Sequence, residues 1–302
     1  MDKDLISVYD IKEDMDDILD LAIKIKKDPK KYARTLKDKS LGMIFEKPST
    51  RTRISFEVAM TQLGGHALYL SPKDMQMGRG ETVADTAKVL SRFVDGITYR
   101  AFDHNMVLEL AKNATIPVIN ALDNLEHPAQ IVADLLTILE KKGSFKNLKF
   151  AYVGDGNNVA NSLILGCAVV HMDCYIGCPA TNQPNAEILK LAREIAAGKS
   201  KIEVVTDPVE AVKDADVIYT DVWVSMGEEA QKEEKEKLFR PYQVNSELVK
   251  HAKKDYIFMH CLPAHRGFEV TDEVVDSKNS VVFDEAENRL HAQKALLVKM
   301  LK

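Results

Sequence analysis

The chain has 302 residues, 45% hydrophobic and 29% charged, with a net charge of −5. This is the composition of a globular protein long enough for two domains, without the broad basic field that nucleic acid or an anionic membrane selects. Its four cysteines are too few for a disulfide scaffold and form no paired C-x-x-C motif, and no eighteen-residue apolar run occurs, so neither a metal site nor a membrane span is expected.

The first residues, Met1-Asp2-Lys3-Asp4-Leu5, lack the basic-then-apolar pattern of a signal peptide, and a cytoplasmic protein is expected. Short apolar runs then alternate with longer amphipathic segments. Strands are expected at residues 43–45, 67–70, 96–99 and 118–119, with helices such as 82–93 and 128–141 between them. Gly143-Ser144-Phe145-Lys146-Asn147 breaks the pattern. Strands resume at 150–153, 174–176, 202–205, 217–219 and 257–259, with a helix over 184–197. Such alternation predicts an α/β chain of two domains, each a parallel sheet flanked by helices. The expected boundaries are 1–135 for the first domain, 136–147 for a linker region and 148–285 for the second domain. A last helix over 286–302 suits either domain by its pattern. The charged run from Gly227 to Lys237 is polar all round and reads as a solvated helix or a moving loop.

In open α/β sheets, ligands bind beyond the carboxyl ends of the strands, so the residues just past each strand are the candidates. Ser49-Thr50-Arg51-Thr52-Arg53 comes after the first and opens a helix. Free N–H groups and the helix dipole favour an anion there, hydroxyls add donors, and Arg51 adds a planar fork suited to phosphate. A plain N-cap flanked by surface arginines is the simpler alternative. Gln76 lies in the loop after the second strand and Arg100 at the lip of the third. His127-Pro128-Ala129-Gln130 comes after the fourth, where histidine and glutamine together suit a carbonyl oxygen and an NH₂ group. Gly154-Asp155-Gly156-Asn157-Asn158 has part of a dinucleotide fingerprint, but Val159 stands where the third glycine belongs. Its asparagines suit a carboxylate instead. Asp221, after the strand at 217–219, suits an ammonium. Cys261 lies just past the last strand, and strand geometry sends neighbouring His260 to the opposite face.

Four of these segments, in order, resemble the transcarbamoylase family: Ser49-Thr50-Arg51-Thr52-Arg53, His127-Pro128-Ala129-Gln130, Asp221-Val222-Trp223-Val224-Ser225-Met226-Gly227 and His260-Cys261-Leu262-Pro263. The last two resemble its ornithine branch. Ala129 departs from the cysteine that many members of that branch have. The resemblance spans nearly the whole chain and implies that the last helix, over 286–302, returns to the first domain. It implies transfer of the carbamoyl group of carbamoyl phosphate to the side-chain amine of L-ornithine, giving citrulline and phosphate, without a cofactor, in a cleft between two domains of a homotrimer or larger homo-oligomer. It further implies that Ser49, Thr50, Arg51, Thr52, Gln76, Arg100, His127, Gln130, Cys261, Leu262 and Arg289 hold carbamoyl phosphate. Asn158, Asp221, Ser225 and Met226 would hold ornithine, and Arg51, Arg100, His127 and Cys261 would act in catalysis. A related enzyme for putrescine or acetylornithine, a non-catalytic two-domain sensor and an oxidoreductase are the competing readings. The aspartate branch fits poorly, because the second half presents Asp221, Ser225 and Met226 rather than a basic partner for a second carboxylate.

Overall fold

The structure is a computed structural model that describes residues 3–224, 230 and 232–302. The chain divides into two compact units, Met1–Leu136 with Glu287–Lys302, and Thr137–Ala286. The first division falls inside the helix Pro128–Lys142 and the second inside the helix Val282–Leu301. All nine expected strands are present, six of them one to three residues longer than expected, and each sheet is parallel throughout.

In the first unit, β1 (Ser40–Phe45), β2 (His66–Leu70), β3 (Gly96–Arg100) and β4 (Val118–Leu122) pair in the order β2-β1-β3-β4. β3 is buried along its whole length, and β1 along all but its first residue, which explains their unbroken apolar runs. β2 is an edge strand with partly exposed residues. At the other edge, Leu5 makes a parallel bridge to Ile119. Ile44, Ile97, Tyr99, Val107 and Leu110 belong to one buried cluster under the sheet, each such side chain contributing about 1.5–3 kcal/mol by leaving water.

The turn after β4 is built around Asp123, a buried carboxylate that accepts from Leu125 N (2.7 Å), Glu126 N (2.8 Å) and Asn120 Nδ2 (2.8 Å). His104 Nδ1 meets the same carboxylate at 2.6 Å. That hydrogen bond raises the His104 pKa, although burial opposes it. A raised folded-state value means that the pair's stabilisation is fully present below about pH 6.5 and is lost as pH rises through the folded value. His104→Asn is therefore expected to lower the urea midpoint more at pH 5.5 than at pH 9. Equal losses at the two pH values would show that charge is not involved.

In the second unit, β5 (Lys149–Val153), β6 (Asp173–Gly177), β7 (Ile202–Val205), β8 (Val217–Tyr219) and β9 (Ile257–Met259) pair in the order β7-β6-β5-β8-β9. Trp223 stacks on Phe239 at 6.1 Å within a core that also holds Tyr242, Val244 and Phe258.

Both strand orders reverse direction once, between β1 and β3 and between β5 and β8. Loops leaving the two strands at such a point run to opposite sides and open a crevice at the carboxyl ends. The first crevice is flanked by Ser49–Thr52 and Arg100, the second by Asn157, Asn158 and Asp221. The candidate residues therefore stand where the topology makes room for ligands.

Candidate active site

The first crevice is built on the register Phe45↔Arg100, which brings the end of β1 beside the end of β3. The helix Arg51–Gln62 starts there, and Ser49 Oγ accepts from Thr52 N at 3.2 Å. Ser49, one residue before the N-cap Thr50, thus satisfies one first-turn N–H, as the simpler reading of the motif allows. The wider setting adds the charge. Arg100, His127, Gln130 and Arg289 are all buried. Arg289 donates through Nη2 to Thr52 Oγ1 at 2.9 Å and through Nη1 to Gln130 Oε1. Gln130 Nε2 donates to Asp134 Oδ1 at 2.7 Å, and Gln130 N to the His127 carbonyl at 3.0 Å. Burial drives the His127 pKa well below its ordinary value, and the charges of Arg289, Arg100 and Arg51 push it further down. Imidazole at this position is neutral at physiological pH and surrounded by three guanidinium groups. Such a site lowers the free energy of an anion and offers a neutral ring to a polar group on it.

Glu46, not singled out by sequence, frames Arg100. Its N–H donates to the Arg100 carbonyl at 2.9 Å, and its carboxylate accepts from Tyr99 Oη and from Phe102 N, each at 2.7 Å. The register of β3 against β4 shifts between Tyr99 and Arg100, so the arginine sits at an irregularity held from both sides.

The second crevice centres on Asp221, which is 6% exposed. One carboxylate oxygen accepts from Asn157 Nδ2 at 2.9 Å and the other from the Cys261 thiol at 3.1 Å. Asn157 also caps the helix Asn158–Val169 by accepting from Val159 N and Ala160 N. Asn158 is half-buried at the first position of that helix, its oxygen meeting Val159 N at 3.0 Å. Burial raises the Tyr152 pKa well above its ordinary value, and the charges of Asp221 and Asp155 add to the rise. This crevice is therefore negative where the first is positive.

Asp155 is paired with Lys235 at 2.8 Å, both nearly buried. This corrects the expectation of an all-solvated charged run. The helix Lys232–Phe239 turns Lys235 inward because a carboxylate waits there to compensate its charge. One of three lysines in a run of mostly charged residues carries no signal of that partner. Gly156 is needed for close approach: a Cβ there would lie 2.4–2.5 Å from backbone atoms of Asn182, Gln183 and Pro184. Gly156 thus serves packing of the 182–184 loop, a structural reason for that glycine apart from a dinucleotide, whereas Gly154, at φ +148°, lies against Thr220 and Tyr152.

Asp221, His260 and Cys261 place potential ligand atoms within 4.8 Å of one another. Both His260 ring nitrogens are already engaged, Nδ1 by Leu262 N at 2.9 Å and Nε2 by Glu269 at 3.2 Å. The group fits a hydrogen-bonded cluster. The expectation that His260 faces away from Cys261 does not hold: β9 ends at Met259, strand alternation no longer applies beyond it, and a His260 ring nitrogen lies within 4.8 Å of the thiol and of the Asp221 carboxylate. Cys261 and Leu262, expected to hold carbamoyl phosphate, belong to the second unit, where the Cys261 thiol donates to Asp221 and Leu262 packs against the core. Gln76 is exposed, between the short helices Pro72–Asp74 and Met77–Arg79, with its carbonyl accepting from Arg79 N and Glu81 N. Ser225 and Met226 lie outside the described residues. Among the described residues, no helix is long and apolar enough to cross a membrane.

Two family models match the chain. Residues 3–140 match the carbamoyl-P binding domain of aspartate/ornithine carbamoyltransferase, and residues 146–300 match its Asp/Orn binding domain. The chain is 62% identical over 305 residues to an ornithine carbamoyltransferase of Picrophilus torridus, covering 100% of both chains. It is 60% identical over 300 residues to a catabolic ornithine carbamoyltransferase of Thermoplasma volcanium, covering 99% of this chain and 98% of the other. Among solved structures, the ornithine carbamoyltransferase of Pyrococcus furiosus superposes with a TM-score of 0.95 at 57% identity, covering 99% of this chain and 96% of that one.

Proposed function

We infer the reaction from one premise: the chain belongs to the aspartate/ornithine carbamoyltransferase family. It is a carbamoyltransferase that moves the carbamoyl group of carbamoyl phosphate to the side-chain amine of L-ornithine, giving L-citrulline and phosphate, a step of arginine metabolism. The observation that carries this reading is the opposite charge of the two crevices. Three guanidinium groups surround a buried neutral histidine in the unit that matches the carbamoyl-P binding domain, and a buried carboxylate centres the other unit.

In this reading, Ser49, Thr50, Arg51 and Thr52 seat the phosphate, with Gln76 reaching a neighbouring subunit's site. Arg100, His127 and Gln130 hold the carbamoyl group, and Arg289 braces Thr52 and Gln130. Asn158, Asp221, Ser225 and Met226 hold ornithine, while Cys261 and Leu262 complete the carbamoyl-phosphate site, Cys261 near the reacting amine. The amine attacks the carbonyl carbon, negative charge grows on the carbonyl oxygen, and phosphate leaves as the C–O bond breaks. Arg51, Arg100 and neutral His127 stabilise that oxyanion; fixed donors of this type contribute about 3 kcal/mol each. The leaving phosphate can accept the proton released from nitrogen.

The amine must be neutral to attack, and an alkylamine of pKa about 10 is mostly protonated at neutral pH. Turnover under saturating substrates is therefore expected to climb from pH 6 to 9, without an inflection near 6.5 from His127, because that ring does not titrate there. A flat profile would count against amine attack as the slow step.

The deciding assay measures citrulline and phosphate release with ornithine, and repeats it with putrescine, acetylornithine and aspartate. Phosphate release with ornithine alone supports the reading, and faster turnover of any other amine overturns the substrate assignment. We also place the protein in the cytoplasm as a homotrimer or larger homo-oligomer. Buried thiols at Cys174 and Cys178 suit a reducing compartment, and sedimentation as a monomer would overturn the assembly.

A further inference from the structure

We propose that Glu269 is a positioning residue for the reacting amine: it fixes the ring proton of His260 on Nε2, and the ring then holds the turn that carries Cys261 and Leu262. The inference rests on the carbamoyl-transfer reading above, in which Cys261 lies near that amine.

Glu269 and His260 are both fully buried. The Glu269 carbonyl accepts from Val244 N at 2.9 Å, and the next residue, Val270, makes a parallel bridge to Val244, so the backbone that carries the carboxylate is anchored. The carboxylate oxygen Oε1 meets His260 Nε2 at 3.2 Å and also accepts from His265 N. The other ring nitrogen, Nδ1, faces the N–H of Leu262 at 2.9 Å. A backbone N–H can only donate, so Nδ1 must be the acceptor and the ring proton sits on Nε2, aimed at Glu269. The tautomer of a histidine, usually an assignment, is here fixed by the chemistry of its two neighbours. His260 N donates to Glu285 Oε2 at 2.9 Å, so the residue is held at its backbone as well as at its ring.

Leu262 needs such a hold. Its φ is +58°, a left-handed conformation that a leucine rarely adopts and that persists only where the surroundings impose it. The bond from its N–H to His260 Nδ1 is one such constraint. The peptide joining Cys261 to Leu262 is trans, so the Cys261 carbonyl points away from the ring that the Leu262 N–H faces. The thiol of the same residue donates to Asp221 at 3.1 Å. Without Glu269, the buried Nε2–H loses this acceptor and the proton is free to move to Nδ1, where it opposes the Leu262 N–H, donor against donor. The turn then relaxes, and Cys261 is no longer held in place for the amine. A displacement of about 1 Å near a reacting centre is enough to lower a rate by about 10²-fold.

The test uses two variants of the full-length protein. Glu269→Met, which keeps the volume and withdraws the acceptor, is expected to lower kcat with ornithine by about 10²-fold. The inhibition constant of L-norvaline, which has no side-chain amine to misplace, should change by less than about threefold. Glu269→Gln keeps an acceptor oxygen for both donors and is expected to stay within about threefold of the wild type in both measurements. In protein made with isotope-labelled histidine, nuclear magnetic resonance should place the His260 proton on Nε2 in the wild type and in Glu269→Gln, and not in Glu269→Met. Should the methionine variant fail to fold, the double change His260→Phe with Glu269→Met leaves neither buried side chain without a partner and carries the same kinetic expectation. Wild-type kcat in Glu269→Met, an equal loss in Glu269→Gln, norvaline affinity falling in step with kcat, or an unchanged His260 tautomer in Glu269→Met overturns the role of Glu269. Absence of citrulline formation by the wild type would instead overturn the parent reading, while the ring signals still report on His260, so the two failures are distinct.

Discussion

Arg51→Ala is expected to lower turnover by about 10²–10³-fold while changing the KM for ornithine by less than about threefold. Arg51 is the first residue of the helix Arg51–Gln62 and half-buried. Its charge is one of the three that hold His127 neutral. Removing it withdraws a donor from both the leaving phosphate and the growing oxyanion, and it leaves the amine crevice untouched. Arg51→Lys should recover only part of the loss, because an ammonium restores charge but not the two-pronged geometry. Because the side chain is not part of the core, the midpoint of thermal unfolding should fall by no more than a few degrees. Steady-state kinetics with each substrate varied in turn checks the prediction. Intact turnover, or a loss confined to ornithine binding, would remove the phosphate seat from the N-terminal sheet.

The parallel sheets were legible because their strands are buried on both faces and therefore appear as plain apolar runs. The edge strand β2 was legible too, to within one residue at its start, whereas the buried strand β1 begins three residues before its expected start. Residues at strand ends or in the loops beyond them, Thr52, Arg100, His127 and Asp221 among them, stood out as candidates for the same topological reason. Residues whose role is to hold those were missed. Glu46 holds the Tyr99 hydroxyl and the Phe102 N–H on either side of Arg100, and Asp134 anchors Gln130, whereas Asn157, read as suited to a carboxylate, does meet that of Asp221. The first two are common polar residues whose partners lie elsewhere in the chain or one turn away, so local composition carries no mark of the pairing. Asp134 had a faint signal, being an acidic residue on the buried side of an apolar helix, where a carboxylate needs a partner. Lys235 had none, because its neighbours in sequence are all charged and solvated while it alone turns inward to Asp155.

Asp221→Asn is expected to raise the KM for ornithine by about 10- to 150-fold, the loss of a charge-assisted hydrogen bond of about 1.5–3 kcal/mol, and to leave carbamoyl-phosphate affinity within about twofold. The carboxylate already accepts from Asn157 and from Cys261, one bond to each oxygen. A carboxylate has about four acceptor positions, so two remain for an ammonium. The chemistry decides which ammonium of ornithine it takes. A buried carboxylate beside the reacting amine would favour its protonated form and oppose attack. Beside the α-ammonium, the same charge anchors the substrate and leaves the reacting nitrogen to the neutral Cys261 thiol. L-norvaline, which has the α-ammonium but no side-chain amine, separates the two cases. Its inhibition constant should rise in Asp221→Asn in parallel with the KM for ornithine. If norvaline binds the variant as tightly as the wild type, Asp221 holds the side-chain nitrogen, and the division of labour between the carboxylate and the thiol must be reversed.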